Sequence, residues 1–374
     1  MSEYQYYEFQ AIDRALTSKE KEEICKLSSR VKPTANVAKF VYHYGDFPDR
    51  PENVLAKYFD IVYYIANWGS HQLAFRFPKN LISAKAIAPY CLDNCIELSF
   101  VEDWAILNWQ FGQEEGFEYW IEGEGTLDQL LELHQEILDQ DYRGLYLAWL
   151  KGITLEEDYI DFDPNQLEAP IPANLQKLSK SQEAFCKIFQ VNPHLLTVAQ
   201  AASPVAATPT QNLSLESAIA QLSRAECDDF LVRLAKGERN LATQLKRTLA
   251  KAEHLTSNPT VGEPQRKIAQ LLTAASEQAT IWERQELEKA EKARIKALQA
   301  IAPKANAMWA EIDTLLVAPK AQNYDQALKL LIQLRDLANY QNQTVIFQER
   351  VQRIAKKYPN RTGLLDRLRK AELC

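Results

Sequence analysis

Aromatic and β-favouring residues open the chain: Tyr4, Tyr6 and Phe9 with Tyr7, Ala11 and Ile12 predict a strand, although their alternation is imperfect. Thr17-Ser18-Lys19-Glu20 has capping-box spacing, in which hydroxyl and carboxylate each satisfy an orphan backbone donor; it predicts a helix through Leu27. A second strand is expected over 37–44. Pro51 suits a first helical turn, and Val54, Leu55, Tyr58, Phe59, Ile61, Val62 and Ile65 follow at mixed helical spacing, which predicts one helix ended by a left-handed Gly69. Leu73, Phe75 and Phe77 alternate with Gln72, Ala74 and Arg76, a strand stopped by Pro78. Further strands are expected over 96–101 and 105–111, separated by Glu102 and Asp103. Thr126-Leu127-Asp128-Gln129 repeats the capping-box spacing and predicts a helix through Leu138, with another over 142–150.

Beyond this region the pattern changes to helical. Pro164, Pro170 and Pro172 interrupt a stretch without periodicity and predict a linker over 161–178. Phe185, Ile188 and Phe189 mark a helix, and Pro193 opens the next, within a helical segment over 179–200. The Ala, Ser, Thr and Pro stretch at 201–212 reads as a low-complexity joint. Ser223-Arg224-Ala225-Glu226 opens a helix carrying Phe230, Leu231 and Leu234 and ending near Gly237, inside a helical segment over 213–256. Residues 265–302 lack Gly and Pro and predict one long helix, in a helical or coiled-coil-like region over 264–318. Its apolar stripe is thin, with Glu286 beside Lys289 and Glu288 beside Lys292 on shared faces, and no heptad persists, so an exposed helix is expected rather than a zipper. Three helices, at 324–338, 344–358 and 362–372, are expected to form a terminal bundle over 323–372.

Composition reinforces this division. Eight of the eleven glycines and five of the seven tryptophans lie at or before Gly152, so two kinds of architecture are joined: an aromatic-rich α+β domain over 1–160 and an all-α C-terminal half. Charge divides differently. Residues 91–170 hold twenty acidic residues against Arg143 and Lys151, a net of −18, whereas 1–90 carry +2 and 171–374 carry +9. Such a block repels phosphate backbones and attracts a basic surface, on a partner or on this chain's own C-terminal half. No run of eighteen apolar residues occurs, and the first ten residues have neither a basic nor an apolar signal region, so a soluble, unexported protein is expected. Six scattered cysteines argue for reduced thiols and a cytoplasmic location.

The chemistry-bearing residues are few. Cys91 and Cys95 are the one close thiol pair, a candidate metal pair without the second pair that zinc knuckles need; two buried thiols beside Ile96 and Leu98 are the plainer expectation. His134-Gln135-Glu136 matches half of a zinc-deaminase signature, but the Pro-Cys-x-x-Cys half is absent and that reading is rejected. Asp161 and Asp163, near Glu156-Glu157-Asp158, are candidate divalent-cation ligands, weighed against a hydrated acidic linker. Glu102, Asp103, Glu114 and Glu115 are the candidate acids, bases or metal ligands if the domain is a hydrolase or transferase. Asn67-Trp68-Gly69 is read as packing at a turn, with a pocket beneath it as the alternative. There is no P-loop, dinucleotide glycine pattern, nucleophile elbow or His-Glu-x-x-His, so no cofactor is expected. Arg350, Arg353, Lys356, Lys357, Arg361, Arg367, Arg369 and Lys370 make the terminal helices basic; Arg353, Lys356, Lys357 and Arg361 are the candidates for nucleic-acid contact, weighed against a solvated face or a docking surface for acidic protein.

The opening Ser2-Glu3-Tyr4-Gln5-Tyr6-Tyr7-Glu8-Phe9, with Tyr58-Phe59-Asp60, Ala66-Asn67-Trp68-Gly69, Phe75-Arg76-Phe77-Pro78, Val191-Asn192-Pro193-His194 and Tyr324-Asp325-Gln326-Ala327, resembles an uncharacterised bacterial family of hypothetical proteins across nearly the whole chain. Residues 323–373 also resemble helical tails of some proteins with SWIM-type zinc fingers. No such finger is present here, so the second resemblance implies a shared docking module and no metal. The leading expectation is a non-catalytic scaffold that holds unidentified protein partners through helical surfaces and its acidic face, without membrane contact. An enzyme with a carboxylate-lined site and a nucleic-acid-associated protein are the alternatives.

Overall fold

The computed structural model describes residues 3–112, 123–155, 163, 165–205, 215–238, 240–252 and 266–373, the side chains of 215 and 250–252 excepted. Two compact units divide the chain, Met1–Gln278 and Ala279–Cys374.

Six strands form the sheet of the first unit: β1 (Gln5–Gln10), β2 (Val37–Tyr42), β3 (Ile61–Ala66), β4 (His71–Pro78), β5 (Ile96–Val101) and β6 (Trp104–Phe111). They are ordered β2-β1-β3-β4-β6-β5, with every neighbour pair antiparallel. On one face lie α1 (Ser18–Cys25) and α2 (Pro51–Tyr58), with Ile24, Val54 and Leu55 packed against Phe9, Phe40 and Val62. After the short α3 (Ala84–Ile87), the other face receives α4 (Glu132–Leu138), α5 (Arg143–Gly152), α6 (Lys180–Ile188) and α7 (Pro193–Ala202). Ile137, Leu145, Phe185 and Leu195 there join Tyr63, Phe75 and Trp109 in the larger core.

Because both faces are covered, the central strands are buried almost continuously, and this corrects one expectation. Helix α2 stops at Tyr58 and Ile61 to Ile65 belong to β3, with Gly69 at φ +95° in the hairpin to β4. A strand buried on both sides shows no polar alternation and imitates a buried helix; the β-branched Ile61, Val62 and Ile65 decide it. The second capping box fails for a backbone reason. Thr126 has αR angles, accepts no cap bond and precedes only a 3₁₀ turn over Leu127–Gln129, whereas a cap needs an extended backbone.

The first box forms as expected. Thr17 is extended, its hydroxyl accepts from the Glu20 amide at 3.2 Å, and the Thr17 amide donates to the Glu20 carboxylate at 2.7 Å. Burial would raise the Glu20 pKa, but bonds from Arg14 and Thr17 outweigh it and hold the carboxyl at about 2. A carboxyl lowered on folding stabilises above its ordinary range, and that contribution is lost as pH falls toward 2. Thr17→Ala is expected to cost about 1 kcal/mol at neutral pH in urea denaturation.

The stretch expected as a linker is instead built into the first unit. Ala169 and Leu175 are buried in the larger core, and Glu168 is 2% exposed. Residues 166–168 run antiparallel to the entry of the long helix α11 (Ile268–Ile301), the Glu168 amide donating to Arg266 O at 2.8 Å and the Ile268 amide to Gln166 O at 3.0 Å. Between them come α8 (Leu215–Ile219), α9 (Arg224–Ala235) with the expected box at Ser223, and α10 (Leu241–Ala252). Gly237, at φ +70°, follows α9 as predicted.

Helix α11 (Ile268–Ile301) is a single 34-residue helix, as its Gly- and Pro-free sequence predicted. Ile268, Leu271 and Ala275 are core residues of the first unit, while Trp282 and Leu287 are exposed. The Glu286–Lys289 and Glu288–Lys292 pairs form at 2.8 Å and 4.0 Å, surface contacts worth a few tenths of a kcal/mol each. In the second unit α12 (Ala305–Leu315), α13 (Ala321–Tyr340), α14 (Thr344–Lys357) and α15 (Thr362–Lys370) pack around Ile312, Leu331, Val351 and Leu368. The bundle thus begins at α12, ahead of the expected 323. No helix among the described residues is long and apolar enough to cross a membrane.

Candidate functional site

Among the described residues, those singled out from sequence do not converge. Glu102, at φ +51°, and Asp103 are exposed on the β5–β6 hairpin tip. Glu114, Glu115 and Asp161 lie outside the described residues. Asp163 is exposed and accepts the Asn165 amide at 2.8 Å, a local turn. Cys95 is buried and Cys91 half-buried at the entry to β5. Burial pushes the Cys95 thiol up to about 12 and raises that of Cys91, which leaves both as protonated, unreactive thiols at neutral pH. Among the described residues no three His, Cys, Asp or Glu side chains group as metal ligands. His134 is 4% exposed, stacks on Phe77 and bonds Arg76 O through Nε2 at 3.0 Å. Trp68, 43% exposed, does not pack over the core, while Asn67 ties the hairpin to β1 by accepting the Tyr4 amide at 3.0 Å.

Part of the acidic block is matched within the first unit. Glu168 takes a two-point bond from Arg266, at 2.7 and 2.8 Å, and a hydrogen bond from the Tyr146 hydroxyl. Asp139 pairs with Lys246 of α10 at 3.5 Å, and Glu124 with Lys39 of β2 at 3.1 Å. Both partners of these last two pairs are substantially exposed, so they orient rather than stabilise.

The basic terminal helices use their arginines mainly within the bundle. Arg353 pairs with Glu349 at 3.8 Å, Arg367 with Asp325 at 2.6 Å and Arg369 with Asp366 at 3.5 Å. Arg361 donates to Leu316 O and lies over the Tyr358 ring at 4.2 Å. Arg350 lies over Trp309 at 4.3 Å. Of the four nucleic-acid candidates, Arg353 and Arg361 therefore have structural partners, and Lys357 sits 5.4 Å from the Tyr358 ring.

Around Arg350, where α12, α13 and α14 meet, lies a groove of about 160 Å³. Trp309, Leu334, Leu337 and Phe347 floor it, with the Trp309 and Phe347 rings 5.8 Å apart. Ile346, 63% exposed, stands on its lining, and Val345, 68% exposed, adjoins it in the chain. The sequence reading named Arg350 but missed Trp309 and Phe347. A usable signal existed in Val345-Ile346-Phe347: three consecutive apolar residues on a helix cannot share one face. Comparisons with protein-family models, with curated proteins and with solved structures found no match for this chain.

Proposed function

We propose that the chain is a cytoplasmic, non-catalytic interaction protein whose terminal helices dock a segment of a partner protein. The α12–α14 groove carries this reading: an apolar floor, Arg350 beside it and an exposed Ile346 on its lining. From Thr344 to Lys370 the helices hold eight basic residues against Glu349 and Asp366, so the fitting partner is an acidic segment bringing one or two apolar side chains. Seating one large apolar side chain contributes about 2 kcal/mol, which suits reversible association. Five described cysteines are unpaired thiols, which supports a reducing compartment.

The test is reversible crosslinking and recovery from native lysate with full-length chain, comparing wild type with Ile346→Asp. Ile346 is exposed, so the variant should retain the wild-type melting curve while losing its captured partners several-fold. Equal recovery, or no partner above the control, would remove the proposal.

A further inference from the structure

Much of α11 has no tertiary cover. From Thr280 to Ala297, about five turns, no residue is buried and all but Glu286 and Ile295 are exposed. Leu287, 72% exposed, stands in the middle of this stretch. An uncovered helix of that length is marginal in water, and ion pairs within it add little. Packing against a second helix would stabilise it.

Thr280, Glu283, Leu287, Ala290, Arg294 and Ala297 follow one another at alternating spacings of three and four residues and share one face of the helix. Glu283 and Arg294 are the reason that this face is no apolar zipper. Parallel pairing of two copies in register would set Glu283 against Glu283 and Arg294 against Arg294 across the seam, where like charges repel. Antiparallel pairing reverses the result. A two-fold axis passing between Glu288 and Lys289 sets Glu283 opposite the partner's Arg294, Leu287 opposite the partner's Ala290 and Thr280 opposite the partner's Ala297, and symmetry makes each contact twice.

The charges around the seam change sign at the same place. Residues 280–288 hold Glu283, Glu286 and Glu288 against Arg284, a net of −2, and residues 289–297 hold Lys289, Lys292, Arg294 and Lys296 against Glu291, a net of +3. The helix dipole does not account for this reversal, because it acts on the first and last turns and α11 extends to Ile268 and Ile301. Two copies laid antiparallel bring each acidic half against a basic half. Glu286 and Glu291 flank the axis, and each is held by a base of its own helix, Lys289 at 2.8 Å and Arg294 at 3.5 Å. Glu283 forms no ion pair among the described residues. Ile281 and Trp282 lie off this face and take no part.

We propose that α11 is a self-association surface on which two copies of this chain pair antiparallel through residues 280–297, in the register set by Glu283 and Arg294. Charged seam positions specify orientation at some cost in stability. The contact is one helix wide and about 27 Å long, at the small end of specific interfaces, so the dimer is reversible and depends on concentration.

The experiment is sedimentation of the full-length chain across a wide concentration range. Wild type should move from the mass of one chain to that of two as concentration rises. Glu283→Arg and Arg294→Glu, both at exposed positions, should each keep the wild-type melting curve in dilute solution and weaken association about tenfold or more. The double variant, in which the pair is reversed, should restore it. Register is read by mixing Glu283→Cys with Arg294→Cys chains under mild oxidation and mapping the linked peptides: antiparallel pairing joins position 283 to position 294, whereas parallel pairing joins like positions. A single-chain mass throughout, association unmoved by either charge reversal, or crosslinks between like positions would overturn the proposal.

Discussion

Replacing Arg76 by methionine is expected to cost about 3–5 kcal/mol, the largest single-residue effect on the sheet unit. The Arg76 side chain is 1% exposed, bonds Asp60 Oδ1 at 2.5 Å and Ala56 O at 2.9 Å, and lies over the Trp104 ring at 4.3 Å. Asp60, also buried, additionally accepts the Ile12 amide at 2.8 Å. Removing the guanidinium leaves that carboxylate dry with one remaining donor, and the cost arises there rather than from the lost attraction itself. Arg76→Met with Asp60→Asn should therefore be less destabilised than Arg76→Met alone, which urea denaturation of both variants would read directly.

The same pair predicts a pH signature. Burial acts to raise the Asp60 pKa and Arg76 overcomes it, so the folded-state value lies below the ordinary one. Its contribution is complete above the unfolded aspartate range, about 3.9, and is lost as pH falls through the lower folded value. In Arg76→Met the burial cost stays and its main compensation is gone. The stability gap between wild type and variant should narrow as pH is lowered through that range; a gap independent of pH would show that the pair is not electrostatically coupled.

The second large effect is expected at Glu168. Glu168→Ala removes the acceptor for Arg266 and for the Tyr146 hydroxyl at the place where residues 166–168 pair with the entry to α11. About 3 kcal/mol is expected, the low end for a broken buried pair, because the Arg266 side chain is 24% exposed and partly rehydrates. Glu168→Gln, which keeps an acceptor for the hydroxyl, should cost less. Hydrogen exchange at the Glu168 and Ile268 amides should quicken in the alanine variant, since the side chain holds together the backbone bridge to which those amides donate. Unchanged exchange would place the stabilisation elsewhere.

Both residues illustrate where sequence reading reached its limit. Arg76 occupies the polar position of an alternating strand, Leu73-Arg76-Phe77, and such a position normally faces water. Here α1 and α2 cover that face, so the polar position becomes a buried ion pair. Glu168 stood in a proline-interrupted stretch with no period, and only its pairing with residues near α11, far along the chain, buries it. The candidate groove was half legible. Val345-Ile346-Phe347 shows that apolar side chains must leave the core face of α14, but only the meeting of three helices makes a concave floor of Trp309 and Phe347. Lys151 was visible as one of two basic residues in the acidic block, yet nothing local distinguishes a buried amine from an exposed one.

What the sequence determined by itself is the set of features that depend on near neighbours. These include the division into an α+β unit and helical segments, the capped starts of α1 and α9, the unbroken α11, and the outward ion pairs along it. Capping, periodicity and one-turn charge pairs act within about four residues, so the local sequence carries their energy almost completely. Tertiary structure alone decided that Ile61 to Ile65 form a strand, that Arg76 and Glu168 are buried and matched, that Lys151 is buried, and that the terminal helices enclose a groove. Each of these depends on which surface a distant element covers, and the burial of polar groups is a property of that covering surface rather than of the residue beneath it.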